Sequence, residues 1–201
     1  MHSMKVNDVD VSYLVRGGGK TIVLIADSSS LMPELFPIID ILAQRFQIVA
    51  FEVNRSQRLG LDAERKTMVT AGVMDYLGLV DANILAIGDG NKVAAILTTK
   101  YSYLVKRLIL ISTACWMGVA SSFNFLKTSK KNYEVSEADF SLIRVPTLII
   151  KGRGDGLVTV DLMQKIHQLV EGSQVLELDG GHPCIVKSAK VFSDSVYEFI
   201  G

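Results

Sequence analysis

The chain alternates short apolar runs with longer segments in which apolar residues recur at helical spacing. Residues 21–26 and 47–53 are mostly Val, Ile, Leu, Phe and Ala, which is typical of buried strands. Between Pro33 and Phe46 the apolar positions recur every three or four residues, which predicts a helix. Strands that alternate with helices in this way indicate βαβ units and a mainly parallel sheet with helices on both faces.

The same pattern continues to the last residues. The predicted strands are Val9–Val15, Thr21–Ala26, Gln47–Val53, Asn83–Ile87, Arg107–Ser112, Thr147–Lys151 and Gln174–Leu178, and the predicted helices are Pro33–Phe46, Thr67–Leu77, Lys92–Tyr101, Val160–Val170 and Lys187–Ile200. The segment 115–143 has no clear strand and is rich in Ser, Lys and Asn, so we expect a short helical insertion there. Residues 1–201 contain no repeat or linker and are expected to form a single domain.

Composition argues against several classes of partner. Lys and Arg together number 21, as do Asp and Glu, so neither nucleic acid nor an anionic membrane is expected to bind. No apolar run reaches the roughly 18–20 residues of a membrane helix, and the first ten residues do not resemble a signal peptide. The two cysteines are too few for a disulfide framework, which favours a cytoplasmic location and buried thiols.

One predicted strand leads through a tight glycine turn into a helix. The strand Asn83–Ile87 is followed by Gly88-Asp89-Gly90-Asn91, and helical spacing begins at Lys92. A strand, a glycine turn and a helix are where α/β proteins place a nucleophile or a phosphate-binding loop. This turn is therefore the main candidate for a functional site.

Five segments occur in an order that one superfamily shares. They are Phe51–Arg58, Tyr76–Leu79, Tyr101–Ser112, Val145–Asp155 and Gly181-His182. In this order the chain resembles the α/β-hydrolase superfamily over almost its whole length. The resemblance implies an α/β-hydrolase fold with a mainly parallel central sheet, a reduced lid at 115–143, and neither cofactor nor metal.

The resemblance also implies roles for two residues. Asp155 takes the position of the catalytic acid, and His182 takes the position of the catalytic base. In an esterase of this type the histidine accepts a proton from a serine hydroxyl while the acid orients the imidazole. Each residue also has a simpler interpretation: Asp155 as a turn residue and His182 as a surface residue before Pro183.

The serine itself is absent from the turn. Reading the motif Gly-x-Ser-x-Gly directly onto residues 88–92 puts Gly90 in the serine position and Lys92 in place of the last glycine. Aligning the following helix with the family instead leaves the turn two residues short, with the serine among the missing residues. Neither alignment places a serine on the turn.

Two further loops depart from the family pattern. After residues 21–25 the family usually has His-Gly, whereas this chain has Ala26-Asp27 followed by Ser28, and an aspartate has the wrong charge to stabilise an oxyanion. The loop after residues 47–53 lacks the usual Arg-Gly. Ser28 and Gly90 remain candidate ligand contacts, and Trp116 of the lid either lines an apolar pocket or packs the lid on the sheet.

Other chemistries match the chain less completely. Asp89 is a possible carboxylate nucleophile, as in the dehalogenase and epoxide-hydrolase branches of the fold, although it is one residue out of register and also suits a helix N-cap. Cys115 and Cys184 are thiols, but neither lies on the turn. Residues 88–93 half-match a dinucleotide-binding fingerprint, and residues 87–91 resemble a metal-binding loop of haloacid-dehalogenase-like phosphatases without enough carboxylates for a metal.

Two hypotheses of function follow from these observations. In the first, the protein is a degenerate, weakly active or non-catalytic relative of serine esterases that binds a small apolar molecule or a protein partner. In the second, it is an active hydrolase of ester, carbon–halogen or epoxide bonds that uses Asp89 as the nucleophile with His182 and Asp155.

Overall fold

The computed structural model describes residues 2–26, 32–53, 61–112, 137–156, 158–181 and 184–201. Within these ranges the strands are β1 (His2–Val6), β2 (Val9–Gly17), β3 (Thr21–Ala26), β4 (Gln47–Val53), β5 (Ala82–Ile87), β6 (Val105–Ile111), β7 (Thr147–Gly152) and β8 (Gln174–Leu178). The helices are α1 (Met32–Leu42), α2 (Ala63–Tyr76), α3 (Gly90–Lys100), α4 (Glu137–Ser141), α5 (Val160–Leu169), α6 (Cys184–Lys187) and α7 (Ala189–Ile200), and residues Ser102–Leu104 form a 3₁₀ turn.

The described strands form one sheet in the order β1-β2-β4-β3-β5-β6-β7-β8. Strand β2 pairs antiparallel with β1 and with β4, and the other neighbouring strands pair parallel. Parallel neighbours need crossover connections, and helices supply the crossovers that the described residues contain. The predicted mainly parallel sheet is confirmed.

Helices cover both faces of the sheet, as the continuous apolar strands predict. All six residues of β5 are buried. Ile84 and Ala86 belong to one core, which α2, α3 and α5 cover, whereas Leu85 and Ile87 belong to a second core under α1 and α7. Successive side chains of a strand point to opposite faces, so a strand covered on both sides is mostly apolar.

The strand prediction misses one strand of the described sheet, β1 at one edge. Strands β3, β4 and β8 have the predicted bounds, but the strand β1 was not predicted. It is mostly exposed and pairs with β2 through a turn in which Asn7 and Asp8 have φ of 48° and 64°. Two consecutive positive φ values suit a two-residue hairpin, and Asn and Asp tolerate them.

Two other predictions change or lie partly outside the described residues. The last predicted helix, Lys187–Ile200, corresponds to α7, and the short helix α6 that precedes it was not predicted. Of the predicted lid at 115–143, residues 115–136 lie outside the described ranges, and residues 137–141 form α4. Among the described helices, none has the length and hydropathy needed to cross a bilayer.

Candidate functional site

The turn after β5 has the backbone geometry that its glycines suggest. Gly88 has a φ of 59°, which is unfavourable for any residue with a side chain. Its main-chain N–H donates to the carbonyl oxygen of Ile111 on β6 at 3.2 Å. A Cβ atom built on Gly88 would have no described atom within 4 Å, so the described part of the chain leaves space for a side chain at this position.

Gly90 plays a different part, because it is the first residue of α3 and packs against β3. A Cβ atom on Gly90 would lie 2.3 Å from the carbonyl oxygen of Ile25. No side chain fits without moving that strand, so Gly90 allows the close approach of helix and sheet. The alignment that places Gly90 in the serine position does not fit this geometry, whereas Gly88 has both the positive φ and the space.

Asn91 fixes the turn and was not singled out by the sequence pattern. Its side-chain Nδ2 donates to the carbonyl oxygens of Gly88 at 2.7 Å and Ile111 at 2.8 Å. The residue is fully buried, and its Oδ1 has no hydrogen-bond partner among the described atoms. Polar residues also occur elsewhere in α3, so no sequence pattern marks Asn91 for this role.

Asp89 lies at the N-cap of α3, but its carboxylate does not cap the helix. Its backbone is in the right-handed helical region, and its side chain accepts no cap hydrogen bond. The side chain is 64% exposed, and one oxygen lies 3.8 Å from Nζ of Lys92. Exposed ion pairs of this kind contribute little to stability. Asp89 is thus one residue beyond the positive-φ position and faces water.

Asp155 is buried in the turn that follows β7. The residue is 6% exposed, and its Oδ1 accepts the main-chain N–H of Val158 at 3.2 Å. Its own N–H donates to the carbonyl oxygen of Gly152 at 3.0 Å. A carboxylate can remain buried only where hydrogen bonds or charges replace its contacts with water. The turn after β7 therefore supplies such contacts to the Asp155 carboxylate.

The turn that carries Asp155 is bonded to the segment leading to residue 182. Arg153 and Gly154 donate their N–H groups to the carbonyl oxygens of Leu178 and Gly180, each at 2.8 Å. A Cβ atom on Gly152 would lie 2.2 Å from the carbonyl oxygen of Gly181. The backbone therefore holds the acid turn against the residue that immediately precedes position 182.

A buried lysine and a buried cysteine lie close to the acid turn. Nζ of Lys151 donates to the carbonyl oxygen of Gly152 at 2.9 Å and lies 3.4 Å from Oε1 of Glu177. Burial raises the pKa of the Cys184 thiol, the charge of Asp155 raises it further, and Lys151 opposes the change. The thiol is therefore protonated near neutral pH, which is the less nucleophilic form.

Three of the predicted site residues lie outside the described ranges. They are Ser28, Trp116 and His182. The described candidates are Asp89 and Gly90 at the turn after β5, and Asp155 after β7. In the described ranges, no group of three or more His, Cys, Asp or Glu side chains is placed to hold a metal ion.

No protein-family model matches the chain, and no curated protein matches it. Solved structures do match. The enol-lactonase from Burkholderia xenovorans superposes with a TM-score of 0.81 at 18% identity, covering 99% of this chain and 99% of that one. A meta-cleavage product hydrolase from Pseudomonas fluorescens has a TM-score of 0.80 at 18% identity, covering 100% and 97%. A hydrolase from Pseudomonas aeruginosa has a TM-score of 0.83 at 16% identity, covering 100% and 98%.

These similarities extend over the whole chain but are too low in identity to carry a function across. They show the fold, and the chain has the α/β-hydrolase fold that its sequence motifs predicted. Fold alone does not decide chemistry, because one scaffold supports many functions. Function must be argued from the turn after β5 and its surroundings.

Proposed function

We propose that this protein binds a small apolar molecule with an ester-like carbonyl group at the carboxyl edge of its sheet. We further propose that it does not hydrolyse the bound molecule through a covalent intermediate. Ligands of open α/β sheets bind outside the carboxyl ends of the strands, which is the edge where Gly88 and Asp155 lie. One similar structure is named an enol-lactonase, and a lactone is a cyclic ester, but that similarity establishes only the fold.

The observation that carries this proposal is the positive-φ residue of the turn. In α/β-hydrolases the nucleophile stands on a sharp, strained turn between strand and helix, so that its side chain is exposed above the sheet. Gly88 has this conformation, with a φ of 59° and open space where a side chain would begin. On this geometry Gly88 stands where a serine would be, and no alcohol or thiol is present there to attack a carbonyl carbon.

Two groups considered as substitutes, the Asp89 carboxylate and the Cys184 thiol, lack the geometry of a nucleophile on this turn. The Asp89 carboxylate is well exposed and lies on the helical side of the turn. The Cys184 thiol is fully buried, and its pKa is raised by that burial. Among the described residues, the turn after β5 offers Asp155 no alcohol or thiol that it could support through a histidine.

The test is a parallel measurement of turnover and binding with the purified protein. We expect no hydrolysis of 4-nitrophenyl butyrate above the buffer rate and no labelling by a fluorophosphonate probe. We expect binding of N-phenylbutanamide, a stable amide analogue of such esters, in an NMR titration. Turnover that disappears in His182→Ala would contradict the non-catalytic proposal.

Catalysis with Asp89 as the nucleophile would produce a covalent adduct that can be detected. If Asp89 were the nucleophile, an ester or alkyl halide would leave an acyl or alkyl group on the protein. Intact-mass measurement of the protein after incubation with 4-nitrophenyl butyrate and with 1-bromobutane detects either adduct. An adduct that is absent in Asp89→Asn would establish the second hypothesis instead.

A further inference from the structure

Ser112, directly after β6, is held in a conformation that serine seldom adopts. In the described part of the chain, the residues other than glycine with positive φ are Asn7, Asp8, Asp81 and Ser112. Asn and Asp tolerate this region because their short side chains bond locally, whereas serine has no such preference. Ser112, with a φ of 50°, is therefore the least expected member of the group.

The surrounding hydrogen bonds explain how this strain is maintained. The N–H of Ser112 donates to the carbonyl oxygen of Ile150 on β7 at 2.9 Å. On the other side, the carbonyl oxygen of Ile111 accepts the N–H of Gly88 and the side chain of Asn91. Strained residues persist where such contacts over-determine the backbone, and they cluster at functional sites.

Strand register places Ser112 inside the proposed binding region. Ile87, Ile111 and Ile150 are neighbours across β5, β6 and β7. Ser112 therefore follows β6 at the same sheet edge where Gly88 follows β5, and adjacent strands are about 4.8 Å apart. Strand β7 then continues towards Asp155, so Ser112 lies between the glycine turn and the acid turn.

The left-handed conformation also breaks the alternation of β6. Leu108 and Leu110 fill one apolar core, and an extended residue 112 would direct its hydroxyl to the same face. Burial of a hydroxyl among apolar groups is unfavourable. Ser112 is itself buried, with 1% of its surface exposed, so its hydroxyl must be satisfied by hydrogen bonds.

We propose that Ser112 is a ligand-binding residue whose hydroxyl donates a hydrogen bond to the carbonyl oxygen of the bound ester-like molecule. This inference rests on the proposed function and adds the residue that recognises the carbonyl group. A serine hydroxyl donates one hydrogen bond and accepts two, so it can contact the ligand while it keeps another partner. On this proposal, the strained backbone of Ser112 beside Gly88 is kept because it positions the hydroxyl to bind the ligand.

The experiment compares binding and stability in two variants of this residue. Ser112→Gly removes the hydroxyl and also the conformational penalty, whereas Ser112→Ala removes the hydroxyl alone. Ser193→Ala, which changes a buried serine of α7, is the control. Affinity for N-phenylbutanamide is measured by NMR titration, and the unfolding midpoint is measured by circular dichroism.

We expect both Ser112 variants to bind N-phenylbutanamide roughly five- to tenfold more weakly, as loss of one hydrogen bond predicts. Ser112→Gly should also unfold at a higher temperature than Ser112→Ala, because both lack the hydroxyl and only alanine is strained at a positive φ. Ser193→Ala should bind normally. Unchanged affinity in both Ser112 variants, or a lower unfolding midpoint in Ser112→Gly than in Ser112→Ala, would overturn this inference alone. Hydrolysis of 4-nitrophenyl butyrate or absence of wild-type binding would instead overturn the proposed function, and the inference with it.

Discussion

The main-chain N–H of Gly154 donates to the carbonyl oxygen of Gly180 at 2.8 Å, so the acid turn and the segment before residue 182 form one unit. Gly152 belongs to the same contact, because a Cβ atom there would lie 2.2 Å from the carbonyl oxygen of Gly181. Two backbone segments that approach this closely require a residue without a side chain. The unit holds Asp155 beside the carboxyl edge of the sheet.

This contact predicts a loss of stability in Gly152→Ala. The added methyl group must displace a backbone carbonyl, which cannot rotate away as a side chain can, so we expect the free energy of unfolding to fall by about 1–3 kcal/mol. Urea denaturation followed by circular dichroism measures it. Gly156→Ala is the control, because a Cβ atom at Gly156 meets nothing within 4 Å. Equal stability of the two variants would show that the close contact is absent.

The hydrogen bonds of Asn91 lead us to expect that its replacement lowers both the free energy of unfolding and the affinity for ligand. Asn91→Ala leaves the Gly88 carbonyl without the side-chain donor 2.7 Å away, and we expect a loss of about 1–3 kcal/mol in the free energy of unfolding. Without these hydrogen bonds the turn at Gly88 is held less firmly, so we also expect weaker binding of N-phenylbutanamide, measured by NMR titration.

Asn83→Ala supplies the matched comparison for that variant. Asn83 is a buried asparagine of β5 whose side chain donates to the carbonyl oxygen of Thr21 at 2.9 Å, at the opposite end of the strand. We expect Asn83→Ala to be destabilised but to retain affinity. If both variants lost affinity equally, the effect of Asn91 would be one of general stability.

The raised pKa of the buried Cys184 thiol leads us to expect that the free energy of unfolding depends on pH. Burial raises the pKa of its thiol in the folded protein above the value of about 8.5 in an unfolded chain. Above that pH the unfolded state releases a proton that the folded state retains, so the free energy of unfolding decreases as pH rises towards the folded pKa. We expect a shallower decrease in Cys184→Ala, measured by urea denaturation between about pH 7 and pH 10. If the free energy of unfolding fell equally with pH in the wild type and in Cys184→Ala, a raised thiol pKa would be contradicted.

Much of the central fold was predictable from the sequence because buried parallel strands are continuous apolar runs. Strands β3 and β4 were predicted with their observed bounds. Strand β1 was not, since its pattern is mostly exposed and its pairing depends on a two-residue turn at Asn7 and Asp8. Only Val6 of β1 is buried, so hydrophobic periodicity carries little information about this strand.

The candidate site was predictable only in part. Motif order pointed to the turn at Gly88 and to Asp155, both of which lie at the carboxyl edge of the sheet. The roles of Asn91 and Ser112 depend on contacts with β6 and β7, which are distant in sequence. Likewise, only the contact between Gly90 and Ile25 distinguishes which glycine has room for a side chain. Such features arise from tertiary register and leave no local pattern.

The most direct test of ligand binding over Gly88 is protection of a cysteine placed there. Gly88→Cys, in a Cys115→Ser background, is treated with iodoacetamide with and without N-phenylbutanamide, and alkylation is followed by intact mass. Gly78→Cys is the matched control, because Gly78 also has a positive φ, 66°, and open space, but precedes β5 at its amino end. We predict that the ligand slows alkylation at residue 88 and has no effect at residue 78. Equal alkylation rates at residue 88 with and without saturating ligand would contradict binding at this site.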